Sequence, residues 1–133
     1  MPEVNALAVV VAAVAAFVAS GAWYVVFGDT MLSLQARWRG ATAPEGPEAW
    51  KLVGFGVSGL VVAGAIAVLL DIADASGWPE SVGIGLLVWV GFCATQWVGS
   101  ILGEDVPVGL AAIHAGDWLA RLLIVTTIVG SWR

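Results

Sequence analysis

The chain has 133 residues, of which 60% are hydrophobic and only 11% are charged. Soluble domains carry about 25% charged residues, so this composition and the mean hydropathy of +0.95 indicate a membrane protein. Ten acidic residues against five basic ones give a net charge of −5. This balance excludes nucleic acid as a partner, because phosphates require clustered Lys and Arg.

Four stretches are long and apolar enough to cross the bilayer, whose hydrocarbon core of about 30 Å requires about 20 helical residues. They cover residues 4–27, 50–70, 82–102 and 107–129. The sequence therefore predicts an all-α fold, a bundle of four antiparallel transmembrane helices that forms a single integral membrane domain over residues 1–133. The first residues, MPEVN, contain no Lys or Arg, so the first stretch is predicted to be a span and not a cleaved signal.

The first span is followed by GDTMLSLQARWRG, residues 28–40. Met31, Leu34 and Trp38 would share one face of a helix there, which predicts a short interfacial helix in the headgroup region. An irregular polar loop with an aromatic anchor is the alternative. Each later helix has residues that suit its first turn, namely Pro47 with Glu48, Pro79 with Glu80, and Asp105 with Pro107.

Five of the eight tryptophans fall near predicted span ends, where an amphipathic ring prefers the headgroup layer. We interpret them as interfacial anchors: Trp23, Trp38, Trp50, Trp78 and Trp132. The orientation follows from the basic residues, since Arg37, Arg39 and Lys51 lie in or beside the first loop. Because Lys and Arg in short loops favour the cytoplasmic side, both termini are predicted to lie outside.

The end of the first span reads SGAWYVVFG, residues 20–28. It resembles a Gly-x-Trp-Tyr element followed by Phe-Gly that is found in the small bacterial and archaeal membrane proteins grouped as domain of unknown function 1761. The residues that fit are Gly21, Trp23, Tyr24, Phe27 and Gly28. The succession of four spans fits the family over nearly the whole chain. The resemblance implies a multipass protein of a prokaryotic cell membrane and supplies no activity.

Small residues recur at every fourth position of the spans. In lipid, helices pair through such surfaces and through hydrogen bonds, because there is little hydrophobic drive to bring them together. The third span carries Gly91, Thr95, Gly99 and Gly103, and the fourth carries Ala112, Gly116 and Ala120. We expect these ridges to pack helices tightly, with one unused ridge left for self-association.

The fourth span also carries a polar stripe, because His114, Asp117 and Arg121 fall within about 60° of one another around the helix. An ionised residue at the bilayer centre costs about 2.5–3.5 kcal/mol, so the acid and the base are expected to face protein. A single intrahelical pair leaves guanidinium donors unused, so further partners are required. The main expectation places them on the third span, at Thr95, Gln96 and Ser100, with Ser58 and Tyr24 also available.

Two functional hypotheses follow for this polar cluster. In the first, the protein is a non-enzymatic helix-packing module, either self-associating or an accessory subunit of a membrane complex, and the charged pair is structural. In the second, it is a small oligomeric channel or transporter for protons or a small solute, with His114, Asp117, Arg121 and Gln96 along the route. The expected partners are the lipid bilayer and another membrane protein or a second copy.

Catalysis is not expected from this sequence. It has one His, no metal-ligand spacing and no Ser or Cys with an identifiable base. We therefore expect no catalytic residue, no metal site and no cofactor.

Overall fold

The computed structural model describes residues 3–39 and 49–132, and the side chains of all of these except Arg39. The elements in chain order are α1 (Ala6–Arg39), α2 (Ala49–Ile72), α3 (Gly77–Val88), a π-helical turn (Trp89–Ala94), α4 (Thr95–Glu104) and α5 (Val108–Ser131). The π-helical turn joins α3 to α4 without a break. The helix start predicted at Pro47 and Glu48 lies outside the described residues.

Four helical stretches in the described residues are long and apolar enough to cross a membrane: Ala6–Trp38, Ala49–Ile72, Gly77–Glu104 and Val108–Ser131. The predicted all-α fold with four such helices is confirmed. The third stretch begins at Gly77, five residues before the predicted boundary. Glu80 lies in its first turn, as predicted, and its carboxylate accepts a hydrogen bond from the backbone N–H of Ser76 at 2.6 Å.

The central helix is α5, against which α1 and α3 both pack, while α2 packs mainly on α1. Near the chain termini, alanines of α1 and α2 meet Val125 of α5 in a closely packed core that includes Ala12, Ala16, Ala63 and Ala67. Small side chains let these helix backbones approach one another. The first half of α2 forms no such closely packed contact, since its apolar residues are exposed, namely Leu52, Val53, Phe55 and Val57. The helices therefore pack tightly at one end of α2 and leave space at the other.

The predicted interfacial helix after the first span is wrong as a separate element, because α1 continues without interruption to Arg39. Its last turns do present Met31, Leu34 and Trp38 on one side, as predicted. This face packs against the start of α5 and the residues before it, namely Val106, Leu110 and Ala111. The helix needs no break there, because its apolar side is covered by protein.

The connection into α5 is short. Asp105 takes the left-handed conformation, with φ 55°, which Asp tolerates better than most residues. Pro107 then precedes the first residue of α5, in agreement with the predicted helix start. The Nε1–H of Trp38 donates to the carbonyl oxygen of Glu104 at 3.2 Å and so ties the end of α1 to the end of α4.

Candidate functional site: a polar cluster beside a cleft

Asp117 is the centre of a polar cluster between α1 and α5, and only 1% of its surface is exposed. One carboxylate oxygen accepts a hydrogen bond from Ser20 Oγ at 2.5 Å. The other accepts one from the Tyr24 hydroxyl at 3.2 Å and lies 3.0 Å from Nε of Arg121. Three donors from two helices thus surround one buried carboxylate, which compensates the loss of its water shell.

The two helices bring these groups together because each contributes a pair one turn apart. Ser20 and Tyr24 are four residues apart on α1, and Asp117 and Arg121 are four residues apart on α5. Side chains at this spacing share a helix face. The contact between the two helices therefore places two hydroxyls directly opposite the charged pair.

Trp23 sets the register of this contact. Its Nε1–H donates to the carbonyl oxygen of Ile113 at 3.0 Å, and its ring lies over Gly116, where an added Cβ would be 2.6 Å from Trp23 Cζ2. Gly116 thus carries a helix contact, as predicted. Trp23 was expected to be an interfacial anchor, but the structure places it in the contact between α1 and α5.

His114 extends the cluster through Tyr24. Its Nδ1 lies 2.8 Å from the Tyr24 hydroxyl oxygen, and its ring stacks on Trp97 with centroids 5.0 Å apart and planes 11° apart. The Tyr24 hydroxyl has one hydrogen, so both of its contacts are satisfied when His114 Nδ1–H donates to Tyr24 and Tyr24 donates to Asp117. The result is a continuous chain of polar groups from His114 to Arg121.

Arg121 uses one edge of its guanidinium in the cluster. Besides Asp117, its Nε contacts Ser20 Oγ at 2.5 Å, and the guanidinium carbon lies 5.0 Å from the centre of the Trp118 ring. Among the described residues, its two Nη nitrogens donate no hydrogen bond. The side chain is 21% exposed, so these nitrogens remain available to a further group.

A cleft of about 820 Å³ lies between α1, α2 and α5, with the polar cluster on its floor. Its walls are mostly apolar and include Phe17, Val25, Leu52, Phe55, Val62 and Trp118, while Ser58 and Gln35 are further polar residues beside it. The volume lies within the roughly 300–1,000 Å³ of small-molecule pockets in proteins. The cleft exists because the first half of α2 does not pack closely against α1 and α5.

The expected partners of the charged pair on the third span are not found there, and that prediction is wrong. Thr95 Oγ1 donates to the carbonyl oxygen of Gly91 at 2.8 Å, and Ser100 Oγ donates to that of Gln96 at 3.2 Å, both within their own helical stretch. Thr95 and Gln96 are exposed. The groups that reach α5 from this span are indoles instead, because Trp89 Nε1–H donates to the carbonyl oxygen of Ala115 at 2.8 Å and Trp97 covers His114.

The small ridge of the third span is not used within the described chain either. At Gly91, Gly99 and Gly103 an added Cβ would meet no atom within 4 Å. The contact with α5 runs through other small residues: a Cβ on Gly85 would be 2.7 Å from Thr126 Cγ2, and one on Gly130 would be 2.5 Å from the Ser81 Cβ. On α5 itself, Ala112 is exposed and Ala120 is half-buried. Of the residues predicted to form the ridges of the third and fourth spans, Gly116 is the one placed in a close helix contact.

Sequence reasoning did not identify Ser20 as a partner of Asp117. The available signal was its spacing, one turn before Tyr24 in the part of α1, residues 6–27, that is otherwise almost entirely apolar. Within residues 3–39 and 49–132, no group of three His, Cys, Asp or Glu side chains is placed to hold a metal ion. The site therefore consists of a hydrogen-bonded charged pair and a histidine beside an apolar cleft, and the Nη nitrogens of Arg121 have no hydrogen-bond acceptor among the described residues.

Fold and site together define a class: a small protein of four membrane-length helices with a buried charged pair on the floor of a cleft. The chain belongs to a family of proteins of unknown function, DUF1761, whose family model matches residues 7–130. The family resemblance of SGAWYVVFG is thereby confirmed, and its Trp23 and Tyr24 both lie in the site. No curated protein and no solved structure matches the chain.

Proposed function

We propose that this protein is a non-enzymatic membrane transporter that binds a small solute in the cleft between α1, α2 and α5. The observation that carries the proposal is that Arg121, whose side chain is 21% exposed, lines a cleft of about 820 Å³ while it is paired with the buried Asp117. A guanidinium that served only to join helices would be expected to be enclosed by them.

The state of the polar groups also supports a binding role. Among the described residues, the Nη nitrogens of Arg121 donate no hydrogen bond, and at membrane depth unused donors are unfavourable unless water or a ligand reaches them. Charged side chains retained in membrane helices commonly mark the route of an ion or solute. The hydrogen-bonded series of His114, Tyr24 and Asp117 adds groups that can exchange protons beside the solute.

A route across the membrane would be completed between copies of the chain. A 13.7 kDa protein of four helices has little interior volume, and the cleft lies at the side of α5 where α2 leaves space. We therefore expect the transporter to be oligomeric, with the bound solute close to the contact between protomers.

Flux measurements on the full chain in liposomes test this proposal. The probes are protons, followed with an enclosed pH-sensitive dye, and radiolabelled acetate, decanoate, tetraethylammonium and glycerol. At least one probe is expected to cross faster than in protein-free liposomes, with a several-fold change in the rate for Asp117→Asn. Rates equal to those of protein-free liposomes for every probe, under gradients of either sign, would reject transport.

A second candidate is the helix-packing module, either self-associating or an accessory subunit, and it is favoured by the open glycines of the third span. Gly91, Gly99 and Gly103 leave room for another helix to approach. Sizing in detergent and in lipid discs tests it. Gly99→Leu should then lower the oligomeric state, whereas Gly54→Leu, also in open surroundings, should leave it unchanged.

A further inference from the structure

We infer that the ligand of the cleft is an amphiphile with one carboxylate head group, bound by the Nη nitrogens of Arg121, with its apolar chain along the first half of α2. This inference rests on the proposed binding role of the cleft. It adds the chemical class of the ligand and the residue that recognises it.

The chemical class of the head group is inferred from the hydrogen-bond donors that the polar cluster leaves unused. Asp117 is occupied on both oxygens, by Ser20 on one and by Tyr24 and Arg121 on the other. A guanidinium has five N–H donors, of which Arg121 uses the one on Nε. The groups that the charged pair leaves unused among the described residues are therefore donors, and a ligand bound to Arg121 has to supply acceptors. Two parallel N–H groups on a planar guanidinium match the two oxygens of a carboxylate.

The charge of the head group is inferred from the charged side chains that line the cleft. Arg121 is the only Lys or Arg among the described residues that line the cleft, and its charge and that of Asp117 sum to zero. A doubly charged phosphate would bring a second negative charge with no cation to meet it, in surroundings where unpaired charge is costly. A cationic head group would meet the guanidinium itself. A head group with one negative charge, held by the Nη donors, therefore costs less than a head group with two.

The apolar chain of the ligand is inferred from the side chains that line the walls of the cleft. Above the polar floor, the cleft is lined by Leu52 and Phe55 of α2 and Phe17 of α1. Leu52 and Phe55 are 43% and 54% exposed, so the first half of α2 has apolar surface to cover the chain of an amphiphile. A small hydrophilic anion such as acetate lacks the apolar body needed to bring its charge to this depth in a membrane.

Binding of radiolabelled decanoate to the full chain in phosphatidylcholine discs tests the inference, with unlabelled competitors of matched chain length. Decanoate should displace the label at a concentration at least tenfold lower than decanol or decyltrimethylammonium, and acetate should not displace it. Equal displacement by decanoate and decanol would overturn the carboxylate assignment. If phosphatidylglycerol in the discs abolished decanoate binding, the occupant would be a lipid headgroup, and the inference would be overturned as well.

Charge variants test the role of Arg121. Arg121→Gln should weaken decanoate binding at least tenfold and leave the weak binding of decanol unchanged. Arg37→Gln is the matched control, because Arg37 is exposed on α1 and does not line the cleft. Asp117→Asn should strengthen decanoate binding several-fold, since it removes the competing negative charge. Weaker decanoate binding in a folded Asp117→Asn protein would contradict the proposed recognition.

A steric variant keeps the test valid if the charge variants fail to fold. Gly59 lines the cleft, and a Cβ added to it would meet no atom within 4 Å, so Gly59→Leu should fill the cleft and weaken decanoate binding at least tenfold. Gly54→Leu, on the same helix but outside the cleft, should have no effect. If Gly59→Leu blocks flux of another probe and decanoate never binds, the ligand class is wrong and the transporter proposal stands. If no probe either binds or crosses, both are rejected.

Discussion

At the scale of single residues, the charged pair differs from a simple intrahelical salt bridge. Asp117 is almost fully buried and receives hydroxyl donors from Ser20 and Tyr24 in addition to Arg121. Removing the guanidinium alone and removing both charged groups should therefore have different consequences. Loss of the base leaves a buried acid that still has two donors, whereas loss of both leaves no buried charge.

Arg121→Ala should lower the free energy of unfolding by about 1.5–3 kcal/mol, the usual range for a hydrogen bond to a charged group. Replacing Asp117 and Arg121 together by Leu should cost less, because no buried charge is left behind. Unfolding of the purified protein in mixed detergent micelles measures both values. Equal losses in the two proteins would show that the acid and the base are not coupled.

Gly116→Ala should destabilise the protein by about 1–3 kcal/mol, because the new methyl group would overlap Trp23 and force the contact between α1 and α5 apart. Gly99→Ala provides the control, since its surroundings are open, and its effect should stay within about 0.5 kcal/mol. Thermal unfolding in detergent compares the two. A neutral Gly116→Ala would mean that Trp23 can move without loss of its hydrogen bond to Ile113.

At the scale of elements, the length of α1 is the main departure from expectation. The residues after Phe27 carry Asp29 and several polar side chains, which favoured a new interfacial element. The apolar side of this stretch is nevertheless covered by the start of α5 and the residues before it, with Leu34 against Gly109 and next to Val106 and Leu110. Packing on another part of the chain thus decides whether such a segment joins the preceding helix.

Leu34→Ala should loosen this contact and cost about 1–2 kcal/mol, less than for a fully buried leucine because Leu34 is only half-buried. Amide hydrogen exchange should rise for residues 106–111 and at the end of α1. Ser33→Ala, on the exposed side of the same turn, should leave exchange unchanged. Unaltered exchange in Leu34→Ala would indicate a segment that lies independently of α5.

At the scale of the whole molecule, the remaining prediction concerns orientation in the membrane. Arg37 and Lys51 lie at the α1–α2 end of the bundle and are exposed, while Asp71, Asp74 and Glu80 lie at the opposite end. We expect the basic end in the cytoplasm and both termini outside.

Single cysteines in a Cys93→Ser background test this orientation. Ser76→Cys, in the connection between α2 and α3, should react with a membrane-impermeant maleimide in intact cells. Arg37→Cys should react only after the membrane has been permeabilised. The reverse pattern would place both termini in the cytoplasm.

The presence of four apolar helices could be predicted from the sequence, though not the end of α1, because helix length and apolar character are properties of contiguous residues. The grouping of His114, Asp117 and Arg121 was predictable for the same reason, since all three lie on one face of one helix. Among the partners of the pair, Tyr24 was one of the residues that the sequence made available, whereas Ser20 was not predictable in this way. Third-span residues such as Gln96 were chosen for their polarity, yet that span turns its indoles toward α5.

Ser20 and Tyr24 became the partners because Trp23 fits against Gly116 and fixes how far α1 is displaced along α5. The cleft likewise depends on α2 packing closely at only one of its ends. The contacts between α1 and α5 join residues 90 or more positions apart. In lipid, helix packing depends on the fit of particular side chains rather than on a general tendency to bury apolar surface. Periodicity within one helix carries no information about how side chains of different helices fit together. Only the tertiary structure therefore determines which residues of α1 meet the charged pair.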